Sequence, residues 1–214
     1  MINYNLKLIL SKIPESVTLV AVSKTKPNYA IMEAYNAGQR VFGENKVQDM
    51  VAKSEELPTD IQWHMIGHLQ TNKVKFIAPF VSLIHGVDSL KLIKEIDKRA
   101  IQNNRIIECL IQIRIAEEET KFGFSDSEAL QILESAKQYK NVRITGLMGM
   151  ATNTMDKSIL RNEFAALKSL FLKFQSFSQD MQILSMGMSS DYEIAIEQGS
   201  TMVRVGSAIF GQRN

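Results

Sequence analysis

Lys24 has the most chemistry open to it of any residue in this chain. The run Val17-Thr-Leu-Val-Ala-Val-Ser-Lys24 alternates so that Thr18, Val20, Val22 and Lys24 share one face of an extended segment. If that face is internal, the amine lies in a confined, poorly solvated place. There its charged form is disfavoured and its nucleophilicity rises, which suits a Schiff base. Taken alone, such a lysine also reads as a surface residue opening a loop, as Lys26 beside Pro27 does. Two C-terminal stretches add to the first reading. Gly187-Met-Ser-Ser-Asp191 and Val205-Gly-Ser-Ala208 bring glycines, hydroxyls and free backbone N–H groups of the kind that hold a phosphate.

Arg204 completes the set. Alternation places Met202, Arg204 and Gly206 opposite Val203 and Val205, and valines suit a layer packed under helices, which turns Arg204 inward. A buried guanidinium cannot shed its proton and needs an acceptor. A carboxylate, Glu44 or Glu108, is one candidate and a pyridine nitrogen is another. A guanidinium facing that nitrogen keeps the ring unprotonated and makes it a poor electron sink. His64, His68 and His85 show no metal-ligand spacing, so no metal site is expected; His64 and His85 fall near strand ends, where they line a pocket or serve as satisfied structural histidines. Cys109, the single cysteine, sits in the apolar run Ile106 to Ile115 and reads as core. The chain carries no G-x-S-x-G, Walker or dinucleotide fingerprint.

The elements that must position these residues form a rhythm. Short apolar or β-branched runs recur at Val17–Ser23, Arg40–Gly43, Ile61–Ile66, Phe80–Val87, Ile106–Ile115, Val142–Met148, Gln182–Met186 and Thr201–Val205. Helical patterns lie between them, as at Asn28–Ala37 and at Leu90–Gln102, whose apolar positions are Leu92, Ile93, Ile96 and Ala100. Ser125-Asp-Ser-Glu128 and Ser190-Asp-Tyr-Glu193 both match the capping box. Eight strands alternating with helices predict a single (β/α)8 TIM barrel over residues 1–214, with an extra N-terminal helix near Asn5–Ser11 across its lower end. An open doubly wound sheet usually needs fewer strands. Reacting groups in a barrel gather at the C-terminal strand ends. Here those ends supply Lys24, Glu44 and Asn45, His64, Gly67 and His68, His85 and Asp88, Arg114, Met148–Met150, Met188 and Ser189, and Gly206 and Ser207.

Composition narrows the classes. With 45% hydrophobic and 22% charged residues, the 214-residue chain has ample material for a core. A net charge of +2 without a basic run argues against nucleic acid as the main partner. The segment Met1–Leu10 lacks the apolar core of a signal or membrane segment, so a cytoplasmic protein is expected.

Several blocks together resemble the pyridoxal-phosphate homeostasis protein family, whose fold is similar to the barrel domain of alanine racemase. They are Ala21-Val-Ser-Lys-Thr-Lys-Pro27, Phe42-Gly-Glu-Asn45, Trp63-His-Met-Ile-Gly67 with Leu69-Gln-Thr-Asn-Lys73, Lys121-Phe-Gly123, Gly146-Leu-Met148, Met186-Gly-Met-Ser189, and Val203-Arg-Val-Gly206 with Ile209-Phe-Gly211. The resemblance implies pyridoxal 5′-phosphate as a Schiff base on Lys24, Asn45 and Met188 near it, Arg204 at the ring nitrogen, and Ser189, Gly206 and Ser207 at the phosphate. It implies a vitamin B6 homeostasis protein that buffers the cofactor and supplies apo-enzymes, with no catalytic residue. A monomer is expected, and with the chain ending at Asn214 there is no room for the second domain that gives alanine racemase its opposing base. Arg114, the pair Ala151 and Thr152, and the short tail depart from the family pattern. A racemase-like enzyme and a cofactor-free Schiff-base aldolase are the rival readings.

Overall fold

Parallel strands hidden on both faces read as apolar runs, and every one of the eight runs forms such a strand. The computed structural model describes residues 1–116 and 123–212. Its strands are β1 (Thr18–Val22), β2 (Val41–Glu44), β3 (Gln62–Met65), β4 (Leu83–Val87), β5 (Ile107–Ile113), β6 (Val142–Gly149), β7 (Ile183–Met188) and β8 (Met202–Val205). All pairings are parallel and follow chain order, and β1 meets β8 to close the barrel. The boundaries expected from sequence hold to within a residue or two, except that Phe80–Ser82 leads into β4 as loop.

The helices are α1 (Ile2–Leu10), α2 (Asn28–Asn36), α3 (Val47–Glu56), α4 (Val74–Ile77), α5 (Leu90–Gln102), α6 (Asp126–Ala136), α7 (Lys157–Gln175), α8 (Tyr192–Glu197) and α9 (Ser207–Phe210). In α5 the buried residues are Leu92, Ile93, Ile96 and Ala100, the stripe that its spacing predicts. Its start is fixed by Ser89, whose hydroxyl accepts from the Leu92 N–H. The α6 capping box forms as expected: Ser125 N–H donates to Glu128 at 2.8 Å and the Ser125 hydroxyl accepts from the Glu128 N–H.

Two expectations are corrected. No capping box forms at α8. Asp191, not Ser190, precedes that helix, and Glu193 turns away to bond Lys12 and the Tyr192 hydroxyl. The N-terminal helix begins at Ile2 and does not lie across the barrel floor. It packs against α2 and α9 in the outer ring, burying Leu6 and Ile9, and Asn5 donates to the Ile209 carbonyl at 3.1 Å. The helix after β8 has only four residues, so α1 fills the place beside it.

Apolar side chains divide into two layers, as the alternation of strands requires. Val20, Leu83, Leu110, Met148 and Met202 fill the barrel interior. Ala21, Phe42, Trp63, Met65, Ile84, Val203 and Val205 pack outward under the helices, and buried Cys109 belongs to this outer layer. The two layers let the interior carry polar residues above its apolar filling. Strands β6 and β7 approach so closely that a Cβ on Gly146 would sit 1.7 Å from the Ile183 carbonyl oxygen.

Candidate functional site

Lys24 lies two residues past the end of β1 and is held by what surrounds it in sequence. Ser23 is fully buried, and its N–H donates to the Gly43 carbonyl. Its carbonyl accepts from Lys26 N–H at 3.0 Å, closing a four-residue turn with Lys24 second and Thr25 third. Thr25 has φ of 65°, the left-handed value that the third position of a type II turn requires. A β-branched residue there stores strain of about 1–2 kcal/mol, held in place by the contacts on either side. Behind the turn, Glu44 accepts from the Ser23 hydroxyl at 2.6 Å and from Lys53 Nζ at 2.7 Å, while the same ammonium donates to the Ser23 carbonyl at 2.9 Å. Burial pushes the Glu44 carboxyl above its usual range, and Lys53 and Ser23 pull it back down. This buried triad lies on the helix side of the barrel and fixes the base from which Lys24 projects.

Lys24 opens into a cavity of roughly 480 Å3 at the C-terminal ends of the strands, within the range of small-molecule sites. All seven residues singled out from sequence line it: Lys24, Asn45, Met188, Ser189, Arg204, Gly206 and Ser207. Glycines place several of them. A Cβ on Gly67 would come within 2.5 Å of the Asn45 carbonyl oxygen, so the loop after β3 can press against Asn45 only without a side chain. Gly187, with φ of +94°, bends the end of β7 so that Ser189 reaches β8, where its hydroxyl accepts from the Gly206 N–H at 3.0 Å. A Cβ on Gly206 would meet Val22 at 3.2 Å, so glycine here keeps a narrow backbone cradle beside β1.

Arg204 is 4% exposed and faces inward, as its alternation predicts. Neither carboxylate weighed from sequence is its partner. Glu44 is committed to Lys53, and Glu108 is half-buried and pairs with Arg143. Arg204 instead donates to the Ser185 carbonyl (2.9 Å), the Ser185 hydroxyl (2.6 Å) and the Gly149 carbonyl (3.0 Å). Burial lowers its pKa to about 10, against the pull of Asp191, so it stays charged at neutral pH. A buried cation with neutral acceptors presents its field to whatever enters above it.

The histidines divide. His68 lines the cavity, with its Nδ1 2.9 Å from Asp88. His64 and His85 lie buried among the interior side chains instead, Nδ1 of the first 3.0 Å from Nε2 of the second, and His85 Nδ1 is 3.1 Å from the Ser185 hydroxyl. Arg114 is exposed and does not line the cavity; Gln112, two residues earlier on the inner face of β5, does. The same period-two argument that found Arg204 could have found Gln112. Lys121 and Phe122 of the Lys121-Phe-Gly123 block lie outside the described residues. Among the described residues, no three His, Cys, Asp or Glu side chains gather as a metal site, and no helix is long and apolar enough to cross a membrane.

Comparison with known proteins agrees with this geometry. The model of the alanine racemase N-terminal domain matches residues 1–214. The pyridoxal phosphate homeostasis protein of Aquifex aeolicus is 41% identical over 197 residues, covering 91% of this chain and 86% of its own. That of Schizosaccharomyces pombe is 40% identical over 216 residues, covering 97% and 91%. PipY of Synechococcus elongatus, solved with PLP bound, superposes with a TM-score of 0.91 at 36% identity, over 99% of this chain and all of its own. Alanine racemase of Clostridium difficile has a TM-score of 0.84 at 14% identity and shares the fold, this chain spanning 60% of its length. With such identity over nearly its whole length, the chain belongs to the pyridoxal phosphate homeostasis protein family, built on the alanine racemase N-terminal barrel.

Proposed function

We propose that this protein binds pyridoxal 5′-phosphate on Lys24 and holds it without turnover, as a reserve from which apo-enzymes are supplied. The observation that carries the reading is the convergence of a strand-end lysine, an inward guanidinium and a hydroxyl-lined cradle on one cavity. When bound, pyridoxal phosphate supplies an aldehyde that condenses with an amine, and a ring nitrogen able to accept a hydrogen bond or a proton. The residues fit such a group. Lys24 offers the amine, and Arg204 offers donors and no acceptor, so it suits an unprotonated ring nitrogen. Ser189, Ser207 and the N–H groups around Gly206 suit a phosphate. Asn45 and Met188 flank the space between.

The reading without turnover rests on Arg204. A charged guanidinium opposes a pyridinium, and the ring then draws electrons weakly from any bound amino acid. A cytoplasmic monomer belongs to the same proposal. Its test is equilibrium dialysis with pyridoxal phosphate beside a chiral assay on alanine and serine. Saturable occupancy with no racemisation is expected. Racemisation that disappears in Lys24→Ala would make the protein an enzyme. A colourless protein that traps a sugar phosphate under borohydride would point to the aldolase.

A further inference from the structure

A buried arginine ordinarily meets a carboxylate, because desolvating a lone charge is costly. Arg204 forms no ion pair within 4 Å among the described residues; its bonded partners are two backbone carbonyls and one hydroxyl. Asp191, whose charge reaches it, accepts instead from the Met188 N–H. What stands behind Arg204 is a neutral chain across the barrel interior, running through Ser185, His85 and His64 on β7, β4 and β3.

Hydrogen-bond chemistry gives the chain a direction. Arg204 can only donate, so the Ser185 oxygen turns a lone pair to it and its single proton elsewhere. The next partner of that hydroxyl is His85 Nδ1, which must then accept. A neutral imidazole accepting at Nδ1 carries its proton on Nε2, and that N–H donates to His64 Nδ1, leaving the His64 proton on its own Nε2. The reverse order would leave the serine proton aimed at the guanidinium side or at nothing. Both rings are kept uncharged by burial, and His85 also by its neighbours His64 and Arg204.

We propose that Ser185, His85 and His64 form a one-way hydrogen-bond relay that positions Arg204 without a bonded carboxylate, so that the pocket floor admits a pyridine ring only as an unprotonated acceptor. The inference rests on pyridoxal phosphate as the ligand of this cavity. A carboxylate in place of the relay would neutralise Arg204 and let a pyridinium sit above it. The relay residues touch Arg204 and one another, so they are positioning residues and not catalytic ones.

Two measurements test it. Nitrogen-15 NMR of histidine-labelled apo-protein is expected to show neutral rings, with the proton on Nε2 of both His64 and His85. A proton on His85 Nδ1, or a charged ring at pH 7, contradicts the relay. Binding of pyridoxal phosphate is then compared with that of its N-methylated analogue, a permanent pyridinium. Wild type is expected to prefer the unmethylated form. Ser185→Ala and His85→Leu are expected to reduce that preference by roughly tenfold, the effect of one lost buried hydrogen bond, and Arg204→Glu to reverse it. His85→Gln, which can accept and donate at once, is expected to recover part of it. Variants that lose stability but keep the wild-type preference overturn the proposal. If neither probe binds, the cofactor reading itself fails, and the proton order in the apo-protein still decides whether the relay exists.

Discussion

Replacing Lys53 by methionine tests how the base of Lys24 is held. Glu44 is fully buried, and one of its oxygens takes both the Lys53 ammonium at 2.7 Å and the Ser23 hydroxyl at 2.6 Å; the other has no hydrogen-bond partner among the described residues. Lys53→Met removes the counter-charge, and also the 2.9 Å bond to the Ser23 carbonyl. Breaking one side of a buried pair costs about 3–5 kcal/mol. For a chain of this size that is a fall in Tm of roughly 6–20 °C. The loss should depend on pH, and the sign follows from Glu44. Burial raises its folded pKa above the unfolded value, and more so without Lys53. The folded variant therefore binds more protons than the unfolded chain between those two values, and its stability improves as pH falls through that window, by up to about 1.4 kcal/mol per pH unit. Urea unfolding at pH 8 and at pH 5.5 measures this. The deficit against wild type should shrink at the lower pH, and Glu44→Gln added to Lys53→Met should restore much of the stability at pH 8. A loss under about 1 kcal/mol, flat with pH, would refute the buried triad.

Gly146→Ala should cost about 4 kcal/mol or more, because its methyl would overlap the Ile183 carbonyl backbone and force β6 from β7. Denaturant midpoints measure it, and a shift of under about 1 kcal/mol would show that the strands are not so close. Acid should destabilise the wild type through His64 and His85. Burial holds His64 at about 3, against 6.5 unperturbed, and holds His85 well below 6.5 too. The unfolded chain thus binds more protons below pH 6.5, so this stability is complete above that pH and is lost as pH falls. The slope reaches about 1.4 kcal/mol per pH unit for each ring. His64 faces His85, and His85 faces His64, Ser185 and Arg204, so no acid bonded within the group offsets the cost. Unfolding series at pH 7.5, 6 and 5 should show this slope, flattened in His64→Asn/His85→Asn; an unchanged slope would show that other groups set it.

Much of the architecture was legible because both strand periods and helix stripes leave marks on the sequence. Alternation alone puts Val20, Val22 and Lys24 on one face and Met202, Arg204 and Gly206 on another, and the valines beside Arg204 turn that second face inward. All seven nominated residues line one cavity for that reason, and because barrel strand ends converge. What sequence did not yield were pairings across the barrel. Lys53 lies on a helix with no spacing that marks it, yet it is buried against Glu44. The acceptors of Arg204 come from β6 and β7, and no spacing in the chain announces a contact between residues 149, 185 and 204. Ser190 and Glu193 had the spacing of a capping box, but Lys12 and Tyr192 hold Glu193 instead, a tertiary contact that local pattern cannot show. Gln112 and not Arg114 lines the cavity, because the end of β5 falls at Ile113 and the arginine has already left the barrel.

The central claim is that Lys24 carries the cofactor. The most direct measurement is absorption of the purified protein with pyridoxal phosphate, followed by borohydride reduction and mass-spectrometric mapping of the labelled peptide. A yellow band, and a pyridoxyl mark on Lys24 that vanishes in Lys24→Ala, is the expected result. No band, or a label scattered over exposed lysines such as Lys91 and Lys137, would contradict the account.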